Sequence, residues 1–317
     1  MIGHMDSIIH ARIAAIEEQF GRHIVGQPWV CRQMLISLVT GGNILFTGVP
    51  GIGKTQMVKT LAGILGLTFR RIQFTPDLMP SDITGTEILE DGKLKFVEGP
   101  VFSHILLADE INRTPPKTQS ALLEAMEEKT VTVLGKTRVL GNPFMVLATQ
   151  NPMEFEGTYP LPEAQLDRFL FSINLTYLTE DLELQMVRQT TGVREPVLAG
   201  EDVMSWLPEA QALVRQVPMS DELMLQIVRL VRETRPALTS IQEVRDGFRW
   251  GAGPRAIQNI ILAARADALL SGQIHVGVEN VKKFIVPVLQ HRVIAEPSGG
   301  RSIGELIDQC QNKAGLC

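Results

Sequence analysis

Cysteine is scarce, with only Cys31, Cys310 and Cys317 among 317 residues. An odd number at such wide spacing excludes a disulfide framework and the paired C-x-x-C of a structural zinc site, and it points to reduced thiols in a cytoplasmic protein. Basic residues are outnumbered, 30 Lys and Arg against 35 Asp and Glu. The resulting charge of -5 offers no bulk field for a phosphate backbone, so no nucleic-acid partner is expected. The six histidines lack H-x-x-H or H-E-x-x-H spacing, which removes the usual helical metal sites. No apolar run reaches the ~18 residues of a membrane span, and no basic stretch followed by an apolar core opens the chain. What is present is ordinary: 44% hydrophobic and 21% charged residues exclude a disordered or coiled-coil chain. The length suggests about two domains.

Ile8, Ile9, Ile13 and Ile16 recur at helical spacing, with Glu17 and Glu18 on the other face, and predict a first helix. Between residues 43 and 174 the pattern changes to short apolar runs at 44–47, 69–74, 104–108, 144–149 and 169–173, alternating with helical periodicity. Near-continuous apolar strands separated by helices predict an α/β fold whose parallel sheet is covered on both faces. Two further segments read as hairpins inserted into that domain: about 86–98, turning at Asp91-Gly92, and 131–140, turning around Gly135-Lys136. Beyond Tyr177 the strand signal stops, and Leu223, Ile227, Leu230 and Val231 fall at helical spacing. The expected division is an α/β domain over residues 1–178 and a helical domain over 179–317.

The strand at 44–47 runs into Gly48-Val49-Pro50-Gly51-Ile52-Gly53-Lys54-Thr55, which fits G-x-x-x-x-G-K-S/T with a strand before it and a helix after it. Glycines let successive N–H groups turn inward, and the helix start adds its positive dipole end. Lys54 would reach the β- and γ-phosphates of a nucleotide such as ATP or ADP, and the Thr55 hydroxyl would ligate Mg²⁺. Gln56 is counted with the same nucleotide contacts. The strand at 104–108 ends in Asp109-Glu110, two carboxylates at a sheet edge. There Asp109 would hold Mg²⁺ through water and Glu110 would polarise an attacking water. The strand at 144–149 leads to Gln150-Asn151-Pro152, which puts the neutral Asn151 amide at the end of another central strand.

These three motifs in this order, followed by a helical domain, resemble the AAA+ ATPases. Longer strings narrow the resemblance to the MoxR family: IVGQ from Ile24 to Gln27, FTPDLMPSDITGTE from Phe74, DEINRTPPKTQSALLEAMEE from Asp109, ATQNP from Ala148, EAQLDRF from Glu163, and GAGPRA from Gly251. The resemblance implies a P-loop core with a five-stranded parallel sheet in the order 5-1-4-3-2 and an all-helical lid. It also implies that Val25, Gly26 and Gln27 flank the adenine and that Asn151 is a sensor. By the same resemblance, Arg168 is an arginine finger reaching into a neighbouring subunit and Arg255 is a second sensor in the lid. Arg113 is a further candidate for a contact across subunits. The family's usual serine is replaced by Gly253 just before Pro254 and Arg255, which leaves the arginine intact.

The implied activity is Mg²⁺-dependent ATP hydrolysis by a homo-oligomeric, hexameric ring that remodels or activates partner proteins or metalloenzyme complexes. Relatives of this kind work with von Willebrand factor A domain proteins and act on protein clients, and the two hairpins occupy places that face the ring's channel. Neither hairpin tip carries an aromatic residue, which sets this chain apart from aromatic pore loops. The ATPase subunit of a magnesium or cobalt chelatase is the nearest alternative. A nucleic-acid motor is disfavoured by the charge balance, and a nucleotide-gated scaffold differs from a motor in not needing Glu110.

Overall fold

The computed structural model describes residues 2–49, 51–150, 157–192, 202–296 and 300–316, with side chains from Ile8 onward. In chain order the strands are β1 (Ile44–Gly48), β2 (Phe69–Gln73), the hairpin β3–β4 (Gly85–Glu90 and Lys93–Glu98), β5 (Ile105–Asp109), the hairpin β6–β7 (Thr130–Val133 and Lys136–Val139), β8 (Met145–Gln150) and β9 (Phe171–Leu175). A short pair, β10 (Phe248–Trp250) and β11 (Ile294–Ala295), completes the set among the described residues. The main sheet runs β2-β5-β8-β1-β9. Numbered by sheet strands alone, this is the expected order 5-1-4-3-2 read from the other edge. The β2–β5, β5–β8 and β1–β8 pairs are parallel.

Burial explains the apolar runs. Ile105, Leu106, Leu107 and Ala108 of β5 are fully buried, as are Val146, Leu147 and Ala148 of β8, because these central strands are covered on both faces. β5 begins one residue later than the apolar run suggests, at Ile105, because the His104 backbone N–H donates to the Thr68 hydroxyl at 3.0 Å. β2 lies at the sheet edge and is exposed at Arg70, Arg71 and Gln73. Its register sets Gln73 opposite Asp109 and Arg71 opposite Leu107. Arg71 and Gln73, two residues apart, therefore share one face beside the end of β5.

Both hairpins form. Asp91 and Gly92 turn the first with φ of 51° and 74°. In the second, Val133 pairs with Lys136, so the turn is Leu134-Gly135, with φ of 48° and 77°, and not Gly135-Lys136 as the sequence suggests. A two-residue turn of this hand needs positive φ at both centres, and the ladder decides which two residues supply it. The hairpins are tied together: Glu87, its side chain only 6% exposed, accepts from Lys136 Nζ at 3.0 Å and lies 3.6 Å from Arg138 Nη2. The Arg138 guanidinium sits 3.7 Å from the Phe96 ring centroid.

The helices of the first part are α1 (Ile2–His23), α2 (Pro28–Thr40), α3 (Lys54–Ile64), α4 (Pro80–Thr84), α5 (Pro116–Glu128), α6 (Glu163–Leu166) and α7 (Glu180–Thr191). They are followed by α8 (Leu207–Val214), α9 (Asp221–Glu233), α10 (Gln242–Gly247), α11 (Pro254–Leu270), α12 (Val278–Leu289) and α13 (Ile303–Lys313). The chain divides into two compact units, one of Ala14–Phe169 and Ile173–Ser205, the other of Met1–Ile13, Leu170–Ser172 and Trp206–Cys317. This division groups α7 with the sheet, whereas the sequence reading places 179 onward in the helical domain. Leu178 and Leu182 close on Gly26, and the Gln189 amide donates to the Arg22 carbonyl, which ties α7 to the end of α1. Among the described residues, the regular elements of the other unit are helices except for β10–β11 and the first two residues of β9. In α9 the expected stripe Leu223, Ile227, Leu230 and Val231 is buried, and the Ser220 hydroxyl caps the helix through the Leu223 N–H at 3.2 Å. No described helix is long and apolar enough to cross a membrane.

Candidate functional site

β1 delivers the chain into a loop whose described left-handed positions are all glycine. Gly48 has φ of 131°, and a Cβ there would lie 2.3 Å from the Leu175 carbonyl oxygen of β9. Gly51 and Gly53 have φ of 83° and 80°, which turns the backbone back toward α3. Gly53 is the N-cap of α3, so the loop ends on the positive end of a helix dipole. Lys54 opens α3, and its Nζ donates to the Gly48 carbonyl at 2.9 Å. Partial burial holds the Lys54 ammonium below its ordinary pKa, against the opposing pull of Asp109 and Glu110. The loop lysine and the carboxylates at the end of β5 thus share one electrostatic site. Thr55 follows, half-buried.

The two carboxylates are separately held. Asp109 Oδ1 accepts from the Thr149 hydroxyl at 2.5 Å, and Oδ2 accepts from Arg71 Nη2 and Nε at 2.6 and 3.1 Å. Glu110 takes a left-handed conformation, φ 57° and ψ 48°, which breaks the line of β5. Its Oε2 accepts from Gln73 Nε2 at 2.7 Å and from Arg113 Nε at 2.9 Å. Arg113, a candidate for a contact between subunits, therefore pairs within its own chain. Arg71, Gln73 and Thr149 escape a motif search because each belongs to a strand whose alternation reads as ordinary sheet. Only the β2–β5–β8 register makes them neighbours of the carboxylates.

A cavity of about 980 Å³ opens beside the loop. Its lining brings Val25 and Gln27 together with Gly51, Ile52, Gly53 and Gln56, as the sequence predicts for nucleotide contacts. Gly26 is not part of this lining, and its backbone packs against Leu178 and Leu182. The opposite side comes from β9–α7, with Tyr177, Leu178, Met186 and Gln189. Those residues carry no motif, and their helical spacing alone gives no sign of a ligand. Apolar walls with a few polar groups suit a flat heterocycle next to a phosphate loop.

The remaining expected residues are placed as follows. Arg168 follows α6 and pairs its Nε with Glu127 Oε2 at 2.9 Å, with Arg168 about one-third exposed. Arg255 lies in the first turn of α11, in the other unit. Pro50 and Asn151 lie outside the described residues. For a divalent cation the chain offers hard oxygen donors, the Thr55 hydroxyl and the Asp109 carboxylate. No group of three or more His, Cys, Asp or Glu among the described residues forms a cage of its own. That donor set fits Mg²⁺, which is commonly held by one or two protein oxygens together with substrate phosphates, and does not fit a resident zinc. Cys31 and Cys310 are free thiols, and burial pushes both pKa values up, that of Cys310 to about 12.

Comparison with known proteins agrees with this geometry. Residues 43–171 match the family described as ATPase family associated with various cellular activities (AAA), and residues 242–309 match the AAA lid domain. The chain is 44% identical over 280 residues to Chaperone MoxR1 of Mycobacterium tuberculosis, covering 86% of this chain and 73% of that protein. It is 29% identical to Protein MoxR of Paracoccus denitrificans over 93% of both chains. A crystal structure of a candidate ATPase from Cytophaga hutchinsonii, 40% identical, superposes with a TM-score of 0.92 over 98% of this chain and 96% of that one.

Proposed function

Because this chain belongs to the MoxR family of AAA+ ATPases, we propose that it hydrolyses ATP to ADP and phosphate in an Mg²⁺-dependent reaction, as a ring whose sites lie between subunits. The observation that carries this reading is the glycine loop ending on the N-terminus of α3, with Lys54 bonded to the Gly48 carbonyl, beside a cavity of nucleotide size that Gly51, Ile52 and Gly53 line. Inward N–H groups of the loop and the α3 N-terminus bind the phosphates, and Lys54 moves from the Gly48 carbonyl to the β- and γ-phosphates. Thr55 and Asp109 would hold Mg²⁺, which when bound neutralises charge on the phosphates. Glu110 orients the attacking water and draws its proton toward Oε2 as the Gln73 and Arg113 contacts let go. Asn151 supports that water or the γ-phosphate. Arg168 completes the site of the next subunit, and Arg255 senses the nucleotide from the lid.

The same reading makes the ring, hexameric as in the resemblance, a chaperone-like remodeller of protein clients with a von Willebrand factor A domain partner. Exposed Leu89, Leu94 and Leu134 on the hairpins support client contact without aromatic residues. The test is ATPase rate against protein concentration for the native chain, and for Arg168→Ala mixed with Glu110→Gln. Partial recovery of activity in the mixture of two inactive variants is expected if sites are shared. No recovery, with both variants assembled on a sizing column, refutes the shared site.

A further inference from the structure

Arg71 is outside the proposed catalytic set, yet it makes a forked contact with Asp109 Oδ2, through Nη2 at 2.6 Å and Nε at 3.1 Å. Because the Thr149 hydroxyl already occupies Oδ1, the guanidinium takes the remaining oxygen of that carboxylate. The same Nη2 donates to Gln73 Oε1 at 2.8 Å, and Gln73 passes the contact to Glu110. We infer that Arg71 is a built-in competitor of the divalent cation for Asp109, and so sets the Mg²⁺ concentration at which nucleotide is bound productively. The inference rests on the nucleotide-binding reading above.

Two cations cannot both use Oδ2 at full strength. Mg²⁺ keeps most of its waters and takes few protein oxygens, so partial loss of one carboxylate matters to it. A guanidinium fork is a strong carboxylate ligand in geometry, and its charge repels a second cation nearby. Arg71 is nevertheless 46% exposed and Asp109 17%, so solvent screens the pair and the guanidinium is free to swing outward along the sheet edge. The competition should therefore be modest and adjustable rather than a block. Beyond Asp109 the Arg71 side chain bonds Gln73 Oε1, while β2 itself is placed by its backbone ladder with β5.

The experiment follows binding of a fluorescent ATP analogue as Mg²⁺ is titrated, in wild-type chain, Arg71→Gln, Arg71→Lys, Asp109→Asn and the double variant Arg71→Gln with Asp109→Asn. Thermal melting of each verifies folding, and Arg71→Lys, which keeps the charge without the fork, serves if Arg71→Gln folds poorly. Arg71→Gln is expected to lower the Mg²⁺ midpoint roughly twofold to tenfold, as suits a partly exposed ion pair. Arg71→Lys should shift it less, and affinity without Mg²⁺ should not rise. In the Asp109→Asn background the shift should disappear, because the contested carboxylate is gone. An unchanged or raised midpoint, or an equal shift in that background, overturns the inference. Weaker binding of Arg71→Gln with and without Mg²⁺ alike would instead make Arg71 a phosphate contact and equally overturn it. Failure of the wild-type chain to bind the analogue at any Mg²⁺ concentration is a different result, which removes the nucleotide reading itself.

Discussion

The Thr149 hydroxyl donates to Asp109 Oδ1 at 2.5 Å, joining the ends of β8 and β5 by a partly buried contact. Thr149 Oγ1 in turn accepts the Glu110 backbone N–H at 2.8 Å, so one side chain positions both residues of the acidic pair. Thr149→Val keeps the shape and removes both bonds. It should destabilise the chain by about 1–3 kcal/mol in urea melts and lower ATP turnover more than nucleotide affinity, whereas Thr149→Ser should restore most of both. Full turnover in Thr149→Val would refute the positioning role.

Gly48 and Gly51 separate two costs within one loop. Gly48→Ala places a methyl 2.3 Å from the Leu175 carbonyl oxygen at a φ of 131°, while Gly51→Ala meets open space at a φ of 83°. The first should cost more than about 3 kcal/mol and abolish nucleotide binding, and the second about 1–2 kcal/mol. Thermal unfolding of the two variants side by side measures the difference.

Glu87 should matter more to the hairpins than either of its cations. Its side chain is 6% exposed, against 65% for Lys136 and 29% for Arg138. Removing the buried acceptor leaves two cations facing each other, while removing Lys136 leaves a solvated gap. Glu87→Ala is expected to lower stability by about 1–2 kcal/mol and Lys136→Ala by less than about 0.5 kcal/mol. Equal losses from the two would contradict the arrangement.

Gly253 is the N-cap of α11 with ordinary extended geometry, φ -83° and ψ 178°, and no atom lies within 4 Å of an added Cβ. The family's serine would fit without strain. Gly253→Ser should raise stability by about 0.5 kcal/mol through capping and a less flexible unfolded chain. A fall in melting temperature would show that the glycine is required.

Lys129 makes an alkaline signature. Its Nζ donates to the Phe144 carbonyl at 3.1 Å and lies 5.4 Å from the Phe144 ring centroid, and burial lowers its pKa to about 8. The unfolded chain holds this proton up to about pH 10.4, so between about pH 8 and 10 it binds more protons than the folded chain. Stability should therefore rise with pH across that window relative to Lys129→Met, by at most about 1.4 kcal/mol per pH unit. Parallel urea melts at pH 7.5 and 9.5 decide it, and no divergence between the two proteins counts against the shift.

Sequence alone determined whatever depends on neighbours along the chain. The glycine and lysine pattern from Gly48 to Thr55 specifies a loop at the end of a strand, because φ and helix-start chemistry are local. Apolar runs specify buried strands, and the family strings supply the sheet order that periodicity could not. The turn pair Leu134-Gly135 and the placing of α7 with the sheet were decided by the ladder of β6 with β7 and by side chains around Gly26. The grip of Arg71, Gln73 and Thr149 on Asp109 and Glu110 likewise came only with tertiary structure. These residues lie 37 to 40 positions apart from their partners in the chain, and a hydrogen bond across that separation exists only once parallel strands have set their register.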